Sequence, residues 1–119
     1  MKALIVDDEQ EICMLLAYQL NKLGIDTTKA HTIAEGLSAF KPKEHQLIFL
    51  DINLPDGNGL DIIPALKLKN EAVKIIVISA YDTKTEHSKA YEMGAHQFLG
   101  KPFSKQMIVE IVTKISNPN

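Results

Sequence analysis

The run Ile48-Phe-Leu-Asp51-Ile-Asn-Leu-Pro-Asp-Gly-Asn-Gly59 carries three large apolar residues straight into a carboxylate and then breaks into turn residues. A short apolar run bounded by turn formers reads as a buried strand, so Asp51 sits at a strand end. The same pattern delivers Asp7 and Asp8 after Leu4-Ile-Val6, Ser79 after Ile75-Ile-Val-Ile78, and Lys101 after Phe98-Leu-Gly100. Three carboxylates brought together repel one another and persist only where a cation neutralises them. Oxygen donors without clustered His or Cys favour a hard ion, and a shallow site with few protein ligands suits Mg²⁺, which keeps several of its waters. Lys101 would add a second, fixed positive charge. Singly, each residue has an ordinary alternative: Asp7 and Asp8 as a helix N-cap region, Asp51 as a turn former, Ser79 as a loop hydroxyl, Lys101 as a solvated charge. Their joint occurrence at strand ends favours a site.

The elements that must position these residues alternate regularly. Strands are expected at 2–6, 25–30, 46–52, 73–80 and 95–100. Between the first two, Ile12, Leu15, Leu16, Leu20 and Leu23 mark a helix face closed by Gly24. Thr32 with Glu35 is a capping box opening a short helix that Pro42 ends. Asn58 caps a third helix running to about Lys69, within which Pro64 is expected to cause a kink. Thr83 with Glu86 opens a fourth helix that Gly94 terminates, and Ile108, Ile111, Val112 and Ile115 share one face of a fifth. Strands alternating with helices imply an α/β fold, a parallel sheet covered on both faces by right-handed crossovers. The wholly apolar runs 47–50 and 75–78 suit central strands, whereas Ile25-Asp-Thr-Thr-Lys29 suits an edge. In such a sheet functional groups gather beyond the carboxyl ends of the strands, where strand order reverses.

Composition narrows the partners. The 119 residues make one domain's worth of chain, read as a single domain over 1–119, and the 45% hydrophobic content suffices for one core. With 13 basic and 15 acidic residues scattered along the chain, there is no cationic footprint for nucleic acid or an anionic membrane. The single Cys13 makes no internal disulfide, no leader-like segment opens the chain, and the cytoplasm is the expected compartment. Apolar runs are too short to span a bilayer. Gly57-Asn-Gly59 is too short for a dinucleotide fingerprint, and no phosphate-binding G-x-x-x-x-G-K-[ST] loop occurs, so no bound nucleotide is expected. Cys13 beside the apolar helix face reads as a packed thiol; His31, His45, His87 and His96 lack ligand spacing and read as partly exposed structural residues. The end from Ser116 reads either as a terminus or as the start of a linker to an output domain.

Together "LIVDDE", "FLDINLPDGNGLD", "IIVISAY" and "FLGKPF" make the chain resemble, over essentially its whole length, a bacterial response-regulator receiver domain, the CheY-like phosphoacceptor module of two-component signalling. The resemblance implies a doubly wound, flavodoxin-like five-stranded parallel sheet with strand order 2-1-3-4-5. It implies that Asp51 accepts a phosphoryl group from a sensor histidine kinase or phosphotransfer protein. It further implies Mg²⁺ held by Asp8, Asp51 and the Asn53 backbone carbonyl, with Asp7 acting through a water. Ser79 matches the family's Thr or Ser position, Lys101 its lysine, Phe98 its aromatic switch position, and Lys101–Pro102 its cis peptide. Phosphoryl transfer is mostly positioning and charge neutralisation, so a carboxylate, a metal and a lysine suffice. The implied protein catalyses its own phosphorylation and dephosphorylation, turns over no metabolite, and switches binding to a downstream effector or output domain. Tyr81, two residues after Ser79, is placed to shade the phosphoryl group from water.

Two other readings compete. An aspartate-nucleophile phosphatase of the haloacid dehalogenase type needs D-x-D, and here the second position is Asn53. A receiver-like module that docks without being phosphorylated usually lacks one of the site residues, and all are present.

Overall fold

The computed structural model describes residues 1–116; residues 117–119, within the end from Ser116 that suits either a terminus or a linker, lie outside the described residues. Strands β1 (Lys2–Val6), β2 (Asp26–Ala30), β3 (His45–Asp51), β4 (Lys74–Ser79) and β5 (Gln97–Gly100) form one sheet in the order 2-1-3-4-5, every pair parallel. Helices α1 (Gln10–Lys22), α2 (Ile33–Ala39), α3 (Ile63–Lys69) and α4 (Lys84–Met93) fill the four crossovers, and α5 (Lys105–Ser116) follows the last strand. The sheet is doubly wound, and its order reverses between β1 and β3, the α/β architecture expected from the sequence.

Alternate residues of the central strands feed two cores. Leu4, Val6, Ile48, Leu50, Ile75 and Val77 pack towards α2, α3 and α4, while Ala3, Ile5, Leu47, Phe49, Ile76 and Ile78 pack towards α1 and α5. A strand buried on both faces must be apolar throughout, which is why these runs lack polar alternation. β2, with its exposed Asp26, Thr28 and Lys29, lies at the edge.

Several local expectations need correction. In α1 the buried stripe is Cys13, Leu16, Ala17 and Leu20, whereas Leu15 and Leu23 are exposed at its margin. Pro64 does not interrupt a helix. Residues Gly59–Ile62 form a 3₁₀ turn capped by the Asn58 side chain, and α3 starts at Ile63, so Pro64 falls in its first turn. There the missing N–H costs nothing, because first-turn amides have no partner within the helix. His45 is buried rather than partly exposed. Its Nδ1 accepts from the Lys41 amide at 2.9 Å and its Nε2 donates to Thr28 Oγ1 at 3.2 Å. Burial, with Lys2 and Lys41 nearby, lowers its pKa and keeps it neutral. His31, His87 and His96 are half-buried.

The caps largely follow the sequence. Thr32 Oγ1 and Thr83 Oγ1 accept from the Glu35 and Glu86 amides. Glu35 reaches back to the His31 amide instead of the Thr32 amide, so that box is offset by one residue. Gly24 and Gly94 end α1 and α4 with φ of 82° and 113°.

Candidate functional site

Parallel strands put all their carboxyl ends at one edge, and the register Val6↔Leu50, Asp51↔Ile78 and Ser79↔Gly100 lines up the four strand ends that carry Asp7 and Asp8, Asp51, Ser79 and Lys101. Asp7, Asp51 and Ser79 are buried there, while Asp8 is exposed. Oxygens of Asp7, Asp8 and Asp51 all lie within 4.8 Å of one another. Lys101 Nζ closes the group, 2.9 Å from Asp7 Oδ2 and 3.5 Å from Asp51 Oδ2. The Lys101–Pro102 peptide is cis, and the Lys101 amide donates to Ser79 O at 2.7 Å, which ties the end of β5 to the end of β4.

The electrostatics are those of crowded acids. Burial first, and then the Asp7 charge, push the Asp51 carboxyl up to about 6, against the pull of Lys101 and the Asn53 amide. Burial works against the Lys101 ammonium. Its hydrogen bond to Glu9, its ion pair with Asp7 and the surrounding acidic charge outweigh that cost, so its pKa is raised and it stays charged. Asp7 Oδ2 is buried and, despite its ion pair with Lys101, accepts no well-angled hydrogen bond. One lysine shared among Asp7, Asp51 and Glu9 leaves the buried carboxylates short of positive charge. The all-oxygen donor set of Asp7, Asp8 and Asp51 and this surplus of acid fit a hard divalent ion.

The turn after β3 is shaped around Asp51. Asn53–Leu54 and Gly57–Asn58 form a two-stranded ribbon that the sequence reading did not anticipate. Gly59 then donates its N–H to Ile52 O at 2.7 Å, and a Cβ at Gly59 would overlap the Asp51 carbonyl oxygen. Asp56 secures the turn from the far side, accepting from the Ile33 and Ala34 amides at 2.8 and 3.0 Å. Those hydrogen bonds lower its pKa.

Asn53 is exposed at the start of the ribbon. Ser79 Oγ accepts from the Tyr81 amide at 2.9 Å, and the Tyr81 ring is largely exposed. Phe98 is buried on the α4 side of the sheet, apart from the carboxylates. Glu9, read only as part of "LIVDDE", accepts from Lys101 Nζ at 2.7 Å. The third acid in that run was its only sequence signal. Cys13 is packed as expected: its thiol donates to Asp7 O at 3.2 Å, and burial, reinforced by the Asp7 charge, pushes it up to about 11.

Residues 3–113 match the response regulator receiver domain family. The chain belongs to that family. This receiver domain is 39% identical over 119 residues to the sensory transduction protein LytR of Staphylococcus saprophyticus, covering 97% of this chain and 45% of that protein. It is 32% identical over 120 residues to the response regulator protein PilR of Pseudomonas aeruginosa, covering 98% of this chain and 27% of that protein. The receiver domain thus spans less than half the length of these two relatives. A solved response regulator protein from Burkholderia pseudomallei, with a phosphorylated aspartic acid, a calcium ion and citrate, is similar with a TM-score of 0.83 at 27% identity, over 97% of this chain and 68% of that one. Among the described residues no helix is long and apolar enough to cross a membrane.

Proposed function

We propose that this receiver domain accepts a phosphoryl group on Asp51 from the phosphohistidine of a sensor kinase or phosphotransfer protein, and that the modification changes which partner it binds. The observation that carries the reading is a buried carboxylate at the mouth of β3 with Lys101 at 3.5 Å and two further carboxylates beside it. The phosphorylated aspartic acid and divalent ion named for the Burkholderia protein support it.

In the proposed reaction an Asp51 oxygen forms the new bond to phosphorus as the bond from phosphorus to the donor imidazole nitrogen breaks, and the imidazole leaves with the electron pair. Asp8, Asp51 and the Asn53 carbonyl would hold Mg²⁺, with Asp7 acting through a water. The ion supplies positive charge for the phosphoryl oxygens. Lys101 would neutralise another phosphoryl oxygen, and its ion pair with Asp7 holds it beside Asp51 before the donor arrives. The buried Ser79 hydroxyl holds the Tyr81 amide as an acceptor and keeps its own proton free to donate to a phosphoryl oxygen. In hydrolysis a water oxygen bonds to phosphorus as the bond from phosphorus to the Asp51 oxygen breaks; the Asp51 carboxylate takes the electron pair and inorganic phosphate departs with the water's oxygen and proton. The protein catalyses only this modification and its loss. We take Ser79 and Phe98 as the switch, with a downstream effector protein or an output domain as the recipient and the cytoplasm as the compartment.

Incubation with acetyl phosphate tests the reading. Intact mass should rise by one phosphoryl group per chain with Mg²⁺ and remain unchanged with a chelator. Modification independent of a divalent ion, or none at all, would refute it.

A further inference from the structure

On the α4 side of the sheet Asp82 of the loop before α4, His87 of α4 and Phe98 of β5 form a connected path. The His87 imidazole of α4 stacks on the Phe98 ring of β5, centroids 3.9 Å apart and planes 26° from parallel, and Tyr91 meets His87 edge-on at 6.4 Å. His87 Nε2 donates to Asp82 Oδ1, in the loop between β4 and α4. A carboxylate only accepts, which places the ring proton on Nε2. Stacking sets the plane of the imidazole and the hydrogen bond sets its rotation, so both contacts are needed to fix it.

Asp82 is itself wedged. A Cβ at Gly100 would lie 2.7 Å from Asp82 Cγ and 2.9 Å from Asp82 Cβ, so the loop packs on bare backbone next to Lys101. At its other end the loop hangs from Ser79, whose Oγ holds the Tyr81 amide and whose carbonyl holds the Lys101 amide. Movement of Ser79 Oγ towards Asp51 would pull on the Tyr81 amide it holds, and through it on the loop that carries Asp82. The side chain that touches both the loop carboxylate and the phenyl ring is His87.

We propose that His87 is a positioning residue that couples the loop between β4 and α4 to the Phe98 ring, so that movement of Ser79 reaches the α4–β5 face through Asp82 and this imidazole. The trigger for that movement rests on the phosphoacceptor reading of Asp51, whereas the coupling is a property of the resting fold. A packing role alone would make His87→Ala less stable without changing how the loop and the ring respond to each other. Coupling requires both contacts, so His87→Phe, which keeps a stacked ring without a donor, and His87→Gln, which keeps a donor without a stacked ring, should each break it.

The test is a double-mutant cycle read on the ring resonances of Phe98 in labelled protein. Asp82→Ala should shift those resonances in the unmutated background and leave them in place in His87→Ala. An equal shift in both backgrounds would overturn the proposal. This cycle uses no phosphoryl analogue, so it judges the coupling even if beryllofluoride with Mg²⁺ moves no neighbour of Asp51, an outcome that would count against the phosphoacceptor reading alone. With beryllofluoride bound, amides around Asp51 should shift in the unmutated protein, His87→Phe and His87→Gln alike, whereas the Phe98 ring should respond only in the unmutated protein. A Phe98 response of full size in both variants would equally overturn the coupling.

Discussion

Lys101 Nζ lies 3.5 Å from Asp51 Oδ2, and the same ammonium lies 2.9 Å from Asp7 and 2.7 Å from Glu9. One lysine thus faces three acids, and the closest of them, Glu9, is the most exposed. The pocket carries unneutralised negative charge, and its behaviour with pH and metal follows from that imbalance.

The Asp51 carboxyl keeps its proton up to about 6 in the folded chain against an ordinary value of 3.8. Between those values the native state binds more protons than the unfolded one, so this group stabilises the fold below the window and that stability is lost as pH rises through it. Metal-free protein should lose roughly 2–3 kcal/mol between about pH 4 and pH 7 from this group. Asp51→Asn should flatten the profile and be the more stable protein at neutral pH. Denaturant titrations in chelator across that range measure both slopes, and identical slopes would contradict the assignment of burial and Asp7 as the cause.

Asp8 is exposed while its partners are buried, so its removal leaves the core intact. Asp8→Ala should weaken Mg²⁺ binding and phosphorylation by acetyl phosphate together, and should raise metal-free stability by relieving repulsion. Calorimetric Mg²⁺ titration beside thermal melting checks the pair; normal affinity in a less stable variant would contradict the cluster.

At Gly59 a side chain has nowhere to go, since its Cβ would overlap the Asp51 carbonyl oxygen and lie 3.1 Å from the carbonyl carbon. Gly59→Ala should cost about 1–3 kcal/mol, as overpacking does, and should slow phosphorylation by shifting the end of β3. Urea unfolding and labelling rate, measured on one preparation, separate the effects. A variant of unchanged stability would show that the turn yields freely.

Ser79→Ala should retain Mg²⁺-dependent labelling, because Asp51, the acidic cluster and Lys101 remain. It leaves the Tyr81 amide without its side-chain partner, at a cost of about 1 kcal/mol. Amide shifts induced by beryllofluoride should then stay near Asp51 and fail to reach Phe98. Undiminished spread to Phe98 would refute the role given to Ser79.

The strand ends were legible because a strand buried on both faces must be apolar, so Asp7, Asp51, Ser79 and Lys101 stand out where each run stops. Parallel topology then forced them to one edge. What stayed hidden depends on partners distant in sequence. His45 reads as a partly exposed structural residue until the Lys41 amide and Thr28 hydroxyl satisfy it in the interior. Asp56 is a turn residue by type, and only the fold brings the α2 amides to it. Pro64 lies in the first turn of α3 and not in its interior because Asn58 caps a 3₁₀ turn, which delays α3 by one turn. The stack of His87 on Phe98 joins a polar helix position to a strand residue and has no periodic signature.

The most direct measurement locates the phosphoryl group. After incubation with acetyl phosphate and Mg²⁺, borohydride reduces an acyl phosphate of aspartate to homoserine, and peptide mass spectrometry reads the converted position. Conversion at Asp51, absent with chelator, is the predicted result; conversion at Asp7, Asp8 or any other residue in place of Asp51, or none in protein that binds Mg²⁺, would contradict it.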